Sequence, residues 1–126
     1  MPYVDGFVMA VPAANRQAFL DHATRADQAF LEMGALRVTE CWQDDVPDGS
    51  VTDFRRAVQA EEGESIVFSW IEWPDKATRD AAYARMMDPG FDDERLSKEA
   101  NPMPFDGKRL IYGGFTPLLD IKGDGQ

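Results

Sequence analysis

Hydrophobic positions change their period several times along this chain, and each change marks an element. Tyr3 to Val11 is dense in Val, Phe and Met, residue types that suit a strand, and Pro12 stops it. From Ala13 to Met33 the apolar positions take helical spacing instead. Phe19, Ala23, Ala26, Phe30 and Met33 recur at steps of four and three, which lays them along one stripe. Gly34 follows where a helix C-cap belongs. Leu36 to Gln43 alternates with period two, with Leu36, Val38, Glu40 and Trp42 on one face and Arg37, Thr39, Cys41 and Gln43 on the other.

Asp44 to Thr52 reads as a loop turning at Pro47-Asp48-Gly49. Asp53 to Ala60 is predicted as a short, polar strand, and Ser65 to Trp73 is the most strand-like segment of all. Pro74-Asp75 opens a second helix that runs to about Met87, where Asp88-Pro89-Gly90 breaks it. A further helical turn is expected within Asp92 to Ala100, then a Pro-rich loop from Asn101 to Gly107. The closing strand spans Arg109 to Leu119, interrupted by Gly113-Gly114 and Pro117. The order predicts an α+β fold: a ferredoxin-like βαββαβ unit with one antiparallel sheet and both helices on one face. It fills a single domain over residues 1–119, leaving 120–126 as a flexible tail.

Two helices cover one face of such a sheet, so the other should be polar. It is not. In the first strand Tyr3, Phe7, Met9 and Val11 oppose Val4, Val8 and Ala10; in the Ser65–Trp73 strand Ile66, Phe68 and Trp70 oppose Val67, Ile71 and Trp73. Burying one such side chain is worth about 1.5–3 kcal/mol, and an exposed patch of this kind exceeds what a monomer usually tolerates. The expected remedy is a homodimer packed sheet to sheet; the alternative is that the Asn101–Gly107 loop folds back over the open face.

Composition narrows the function. With 126 residues and 44% hydrophobic content the chain suits one globular domain. Its 23 acidic and 13 basic side chains give a charge of −10, which repels phosphate and disfavours nucleic acid and anionic membranes. Cys41 is the sole cysteine, so neither an internal disulfide nor a thiolate zinc cluster is available. No basic n-region precedes an apolar run, and no run approaches a membrane span. A cytoplasmic protein without metal or cofactor is expected.

Several segments resemble a known family: Tyr3-Val4-Asp5-Gly6-Phe7-Val8, Gly34-Ala35-Leu36-Arg37-Val38 into Glu40-Cys41-Trp42, and Asp45-Val46-Pro47-Asp48-Gly49. So do Val67 to Trp73, Met103 to Arg109 and Ile111-Tyr112-Gly113-Gly114-Phe115. Together, over roughly positions 3 to 119, they are similar to the YbaA-like family of bacterial proteins, whose domain has no known function. The resemblance implies a dimeric α+β barrel. It supplies no activity, because that superfamily holds cofactor-free monooxygenases, isomerases, haem-handling enzymes and stress-related binding proteins. Some family members carry a label linking them to signal-recognition-particle RNA, which the charge balance here opposes.

Candidate chemistry rests on a few side chains. Asp5, Glu40 and Glu72 are carboxylates set among apolar same-face neighbours, where desolvation raises the pKa toward that of a general acid or base. Each could instead pair with Arg37, Arg55, Arg56 or Arg109 across the sheet. His22, the one histidine, lies beside the buried stripe of the first helix and could exchange a proton in a helix–sheet cavity. His22, Glu40 and Asp5 are therefore the catalytic candidates. Trp42, Trp70 and Tyr112, with Arg109, are the ligand-binding candidates, since aromatic rings could hold a planar molecule. They serve equally as core or interface. Cys41 lacks any neighbour that would activate it, Ser69 lacks the glycines of a nucleophile elbow, and Asp44, Asp45, Asp48 and Asp53 match no calcium loop. The expected function is binding of a small planar or aromatic molecule in a helix–sheet cavity, with no reaction assigned. The alternatives are a non-catalytic stress-response or protein-interaction module and, last, an RNA-associated protein.

Overall fold

A single four-stranded antiparallel sheet carries the molecule, in a computed structural model that describes residues 1–125. Its strands are β1 (Tyr3–Pro12), β2 (Arg37–Trp42), β3 (Glu64–Trp73) and β4 (Ile111–Phe115), laid out in the order β2-β3-β1-β4. Helix α1 (Arg16–Glu32) follows a short 3-10 turn at Ala13–Asn15. It ends at Gly34, whose φ of 113° lies in the region that favours glycine. Helix α3 (Lys76–Met87) starts where Asp75 accepts a hydrogen bond from the Thr78 amide at 2.7 Å, an N-cap worth about 1 kcal/mol. The architecture is α+β.

Register fixes which side chains share a face. Glu40, Ser69, Phe7 and Tyr112 stand in one row across the four strands, and Val38, Ile71, Asp5 and Gly114 form the next. Both rows belong to the face that α1 and α3 cover. There Phe19 and Ala23 of the α1 stripe bury against Met9, Val11 and Val67. Tyr3, Ile71 and Trp73 form a second cluster with Ala82 of α3. Gly114 leaves room for the Tyr3 ring, against which a Cβ at this position would collide.

The opposite face carries Val4, Val8, Ala10, Ile66, Phe68 and Trp70, with Ile111 and Phe115 from β4. Here the structure corrects one expectation. Asp53 to Ala60 is no strand: it holds a one-turn helix, α2 (Phe54–Ala57), because the Asp53 carboxylate accepts from the Arg56 amide at 2.7 Å and caps the turn. A capping side chain offers the backbone a local partner that competes with a sheet edge. The segment then drops Val58 onto Ala10 and Ile66, closing one end of the open face. The rest stays uncovered, with Phe68 45% and Phe115 61% exposed.

The Asn101–Gly107 loop does not lie over that face either. It runs on the helix side, as described below. The closing strand is shorter than expected. Asp106 caps a 3-10 turn at Gly107–Arg109 that delays its start, and residues 116–125 contribute no helix or strand. Gln126, the end of the expected tail, lies outside the described residues. Among those described, no helix is long and apolar enough to cross a membrane.

Candidate functional site

The segment from Arg95 to Phe105 is a strap laid along α1 in the opposite direction. Arg95 forks onto Glu32 at 2.8 and 2.9 Å, and Arg25 donates to the Ala100 carbonyl at 2.9 Å. Asn101 meets His22, and Asn15 donates to the Pro104 carbonyl at 2.9 Å. Partners descend the helix as the strap ascends in number. Because the strap holds off from the sheet, a space of about 280 Å³ remains between α1, the strap and the inner sheet face. Its walls include Phe7, Met9, Phe19, Phe30, Val38 and Ile71, so the cavity is apolar with a few polar groups.

Three polar groups matter. Asp27, half-buried on α1, hydrogen-bonds to Glu40 of β2 at the mouth. Burial first, then that hydrogen bond and the charge of Glu40, push the Asp27 carboxyl from its ordinary 3.8 up to about 9. The Asp27 carboxyl thereby keeps its proton at neutral pH, since ionising it would leave a half-buried charge beside Glu40. Ser69, beside Glu40 in the same row, is 3% exposed and lines the cavity. No hydrogen bond involves its hydroxyl among the described residues, and no fully enclosed polar atom there lacks a partner, so that hydroxyl opens onto the cavity.

His22 is the third. Asn101, buried, donates both amide hydrogens to carbonyls, that of His22 at 3.2 Å and that of Arg95 at 2.8 Å. Carbonyls only accept, so the Asn101 Oδ1 is fixed as the atom facing His22 Nδ1, 3.1 Å away. Nδ1 must then carry the hydrogen. In the neutral ring Nε2 is left as an acceptor.

Of the residues singled out from sequence, His22, Glu40, Ser69 and Trp70 line the cavity. Asp5 lies elsewhere, 2% exposed beneath α3, and its partner is none of the arginines considered. It accepts from Arg79 Nη2 at 2.9 Å, Trp73 Nε1 at 2.8 Å and the Tyr83 hydroxyl at 2.9 Å. Burial, and after it the Asp5 charge, holds the Tyr83 hydroxyl well above its usual range. Trp42 packs on Phe19 and under Arg16 outside the cavity lining. Trp70 turns its ring to the open face against Phe68, with Nε1 donating to Glu72 at 3.1 Å. Tyr112, 70% exposed, stacks on Phe7. Arg109 is fully engaged, forked onto Glu64 at 2.7 and 2.8 Å and bonded to Asp106.

Asp27 and Asn101 escape the sequence reading, which weighs Ser69 only as a nucleophile. Asp27 left a signal: it sits four residues after Ala23 and three before Phe30, on the edge of the apolar stripe. Asn101 left none, since its partner is 79 residues away.

A family profile described as "Protein of unknown function (DUF1428)" matches residues 2–107. The chain belongs to the DUF1428 family. Relatives include proteins named "Uncharacterized protein YbaA" from Escherichia coli K12, Escherichia coli O157:H7 and Shigella flexneri. Each is 57% identical over 120 residues, covering 95% of this chain and 99% of the relative. The resemblance to YbaA-like proteins thus holds across nearly the whole chain. The family description assigns no activity, so any functional reading rests on the cavity and the open sheet face.

Proposed function

We propose that this member of the DUF1428 family binds a small, ring-bearing molecule in the cavity between α1, the strap and the sheet. The observation that carries the reading is an apolar space of about 280 Å³ with polar groups at its mouth and wall, built by contacts that hold the strap off the sheet. Close packing is the rule in interiors, so a space of this size needs a reason. The protein works as a homodimer of one domain spanning residues 1–119. The strand order β2-β3-β1-β4 supports a ferredoxin-like unit, and the uncovered Phe68, Ile111 and Phe115 support a second copy packed on the open face, as in a dimeric α+β barrel. A cytosolic setting fits the lone, exposed Cys41 thiol.

Fragment screening by ligand-observed NMR tests the binding claim, with Ala26→Phe as the control that fills the cavity from α1. Aromatic fragments should bind the native protein and lose affinity in the variant. Fragments that bind both equally, or none at all, would remove the cavity reading. Sedimentation equilibrium tests the pairing: a 28 kDa-class particle, about twice the 14.1 kDa chain, is expected, falling to the monomer in Phe68→Glu.

A further inference from the structure

Resting on that reading of the cavity, we infer that its ligand is an organic ammonium ion, a primary amine on a one-ring apolar body, seated between the Asp27–Glu40 pair, Ser69 Oγ and His22. The inference follows from which hydrogen-bonding groups the protein leaves free. Ser69, 3% exposed, opens an unpartnered hydroxyl onto the cavity beside Glu40. The amide of Asn101 commits His22 Nδ1 as a donor, so Nε2 offers a lone pair. Asp27 and Glu40 present carboxyl oxygens. The free capacity is therefore dominated by acceptors, which suits a ligand with several N–H donors and a positive charge.

Other charges near the mouth do not reverse that preference. The groups facing Asp27 are Glu40 from β2, His22 from α1 itself, and Arg95 and Lys98 from the strap. Arg95 is spent on Glu32 and Asp93. Lys98 is exposed, free to swing into solvent. An anion would thus meet a carboxyl pair with only a rim lysine to offset it. The volume sets the body: a cavity of roughly 150 Å³ accepts benzene, so about 280 Å³ takes one ring and a short aminomethyl arm.

Seating the ammonium changes the protonation of the pair. The proton on Asp27 leaves to solvent as the ligand's charge takes its place beside Glu40, so one ammonium enters and up to one proton departs. No bond of the ligand is made or broken.

Isothermal calorimetry on the native protein at pH 7 tests this, using benzylamine, benzyl alcohol and benzoate as probes in two buffers with different ionisation heats. Benzylamine should bind at least tenfold tighter than either comparator, and its heat should shift with the buffer by close to one proton released. Asp27→Asn and Glu40→Gln are near-isosteric and should each weaken benzylamine about tenfold or more, the loss of one charge-assisted hydrogen bond. Asp27→Asn, which has no proton to release, should also remove the buffer dependence, and Ser69→Ala should weaken binding without removing it. If benzyl alcohol or benzoate binds as well as benzylamine, the cavity takes small molecules but is no ammonium site, and only this inference falls. If benzylamine binds without proton release, or equally to both carboxyl variants, its charge lies elsewhere and the inference likewise falls. If none of the three binds, the inference and the small-molecule reading fall together.

Discussion

Replacing Arg79 by Met isolates the most exposed dependency in the fold, the buried carboxylate of Asp5. Asp5 retains 3% of its side-chain surface and is held by three donors from two elements: Arg79 and Tyr83 on α3, and Trp73 on β3. Arg79 also lies over the Tyr83 ring at 4.3 Å and the Tyr3 ring at 5.2 Å. Methionine keeps an apolar stem between those rings but strands a negative charge among them. Breaking a buried pair from one side costs about 3–5 kcal/mol. Arg79 itself keeps 18% of its surface, which lets water reach the vacated place, so the lower end, about 3 kcal/mol, is expected. For a chain of this length that corresponds to a drop of about 12 °C in Tm.

Urea unfolding followed by tryptophan fluorescence measures it, since Trp73 donates to the same carboxylate at 2.8 Å. The double variant Asp5→Asn/Arg79→Met provides the discriminating arm. With no charge left to strand, it should be more stable than Arg79→Met alone. A loss below about 1 kcal/mol in Arg79→Met, or strictly additive losses in the double variant, would refute the account of Asp5 as the pin that fastens α3 to the sheet.

Three further outcomes follow from the geometry. Because the folded state binds the Asp27 proton more tightly than the unfolded chain does, its contribution is complete below 3.8 and is lost as pH rises toward about 9; Asp27→Asn should therefore gain on the native protein as pH climbs, and parallel urea midpoints from pH 5 to 8 would contradict this. Hydrogen bonding from Arg109 holds Glu64 below its ordinary 4.5, so that pair stabilises above this value and fades as pH falls through the lowered one; Arg109→Ala should lower Tm at pH 7 by more than at pH 3, without altering ligand affinity. Gly114→Ala should cost about 1–3 kcal/mol, since its Cβ would meet the Tyr3 ring, with the nearest ring carbon at 2.8 Å; an unchanged thermal melt would show that Tyr3 can move aside.

Local pattern in the sequence was enough to place α1, α3 and the four strands, because period and end signals are properties of neighbouring residues. Phe19, Ala23, Ala26 and Phe30 announce the face of α1 without reference to any partner; Gly34 announces where α1 ends and Asp75 where α3 begins. The alternation in β1 and β3 likewise showed two apolar faces before any packing was known. Where a local side chain competes with the strand pattern, the expectation fails: Asp53 caps α2, and the segment expected as a short, polar strand holds a helical turn.

The site needed tertiary structure for a different reason. Asp27 meets Glu40, Asn101 meets His22, and Arg79 meets Asp5 only because strands and helices from distant parts of the chain are stacked face to face. A carboxylate's chemistry is set by what surrounds it. In sequence Asp5 and Glu40 look alike, each flanked by large apolar neighbours on its strand face; in space one is saturated by three donors and the other opens a cavity mouth. Composition carries the number of acids and arginines, but not their pairing, since a salt bridge or a shared proton depends on distances of a few ångströms that only the folded chain determines.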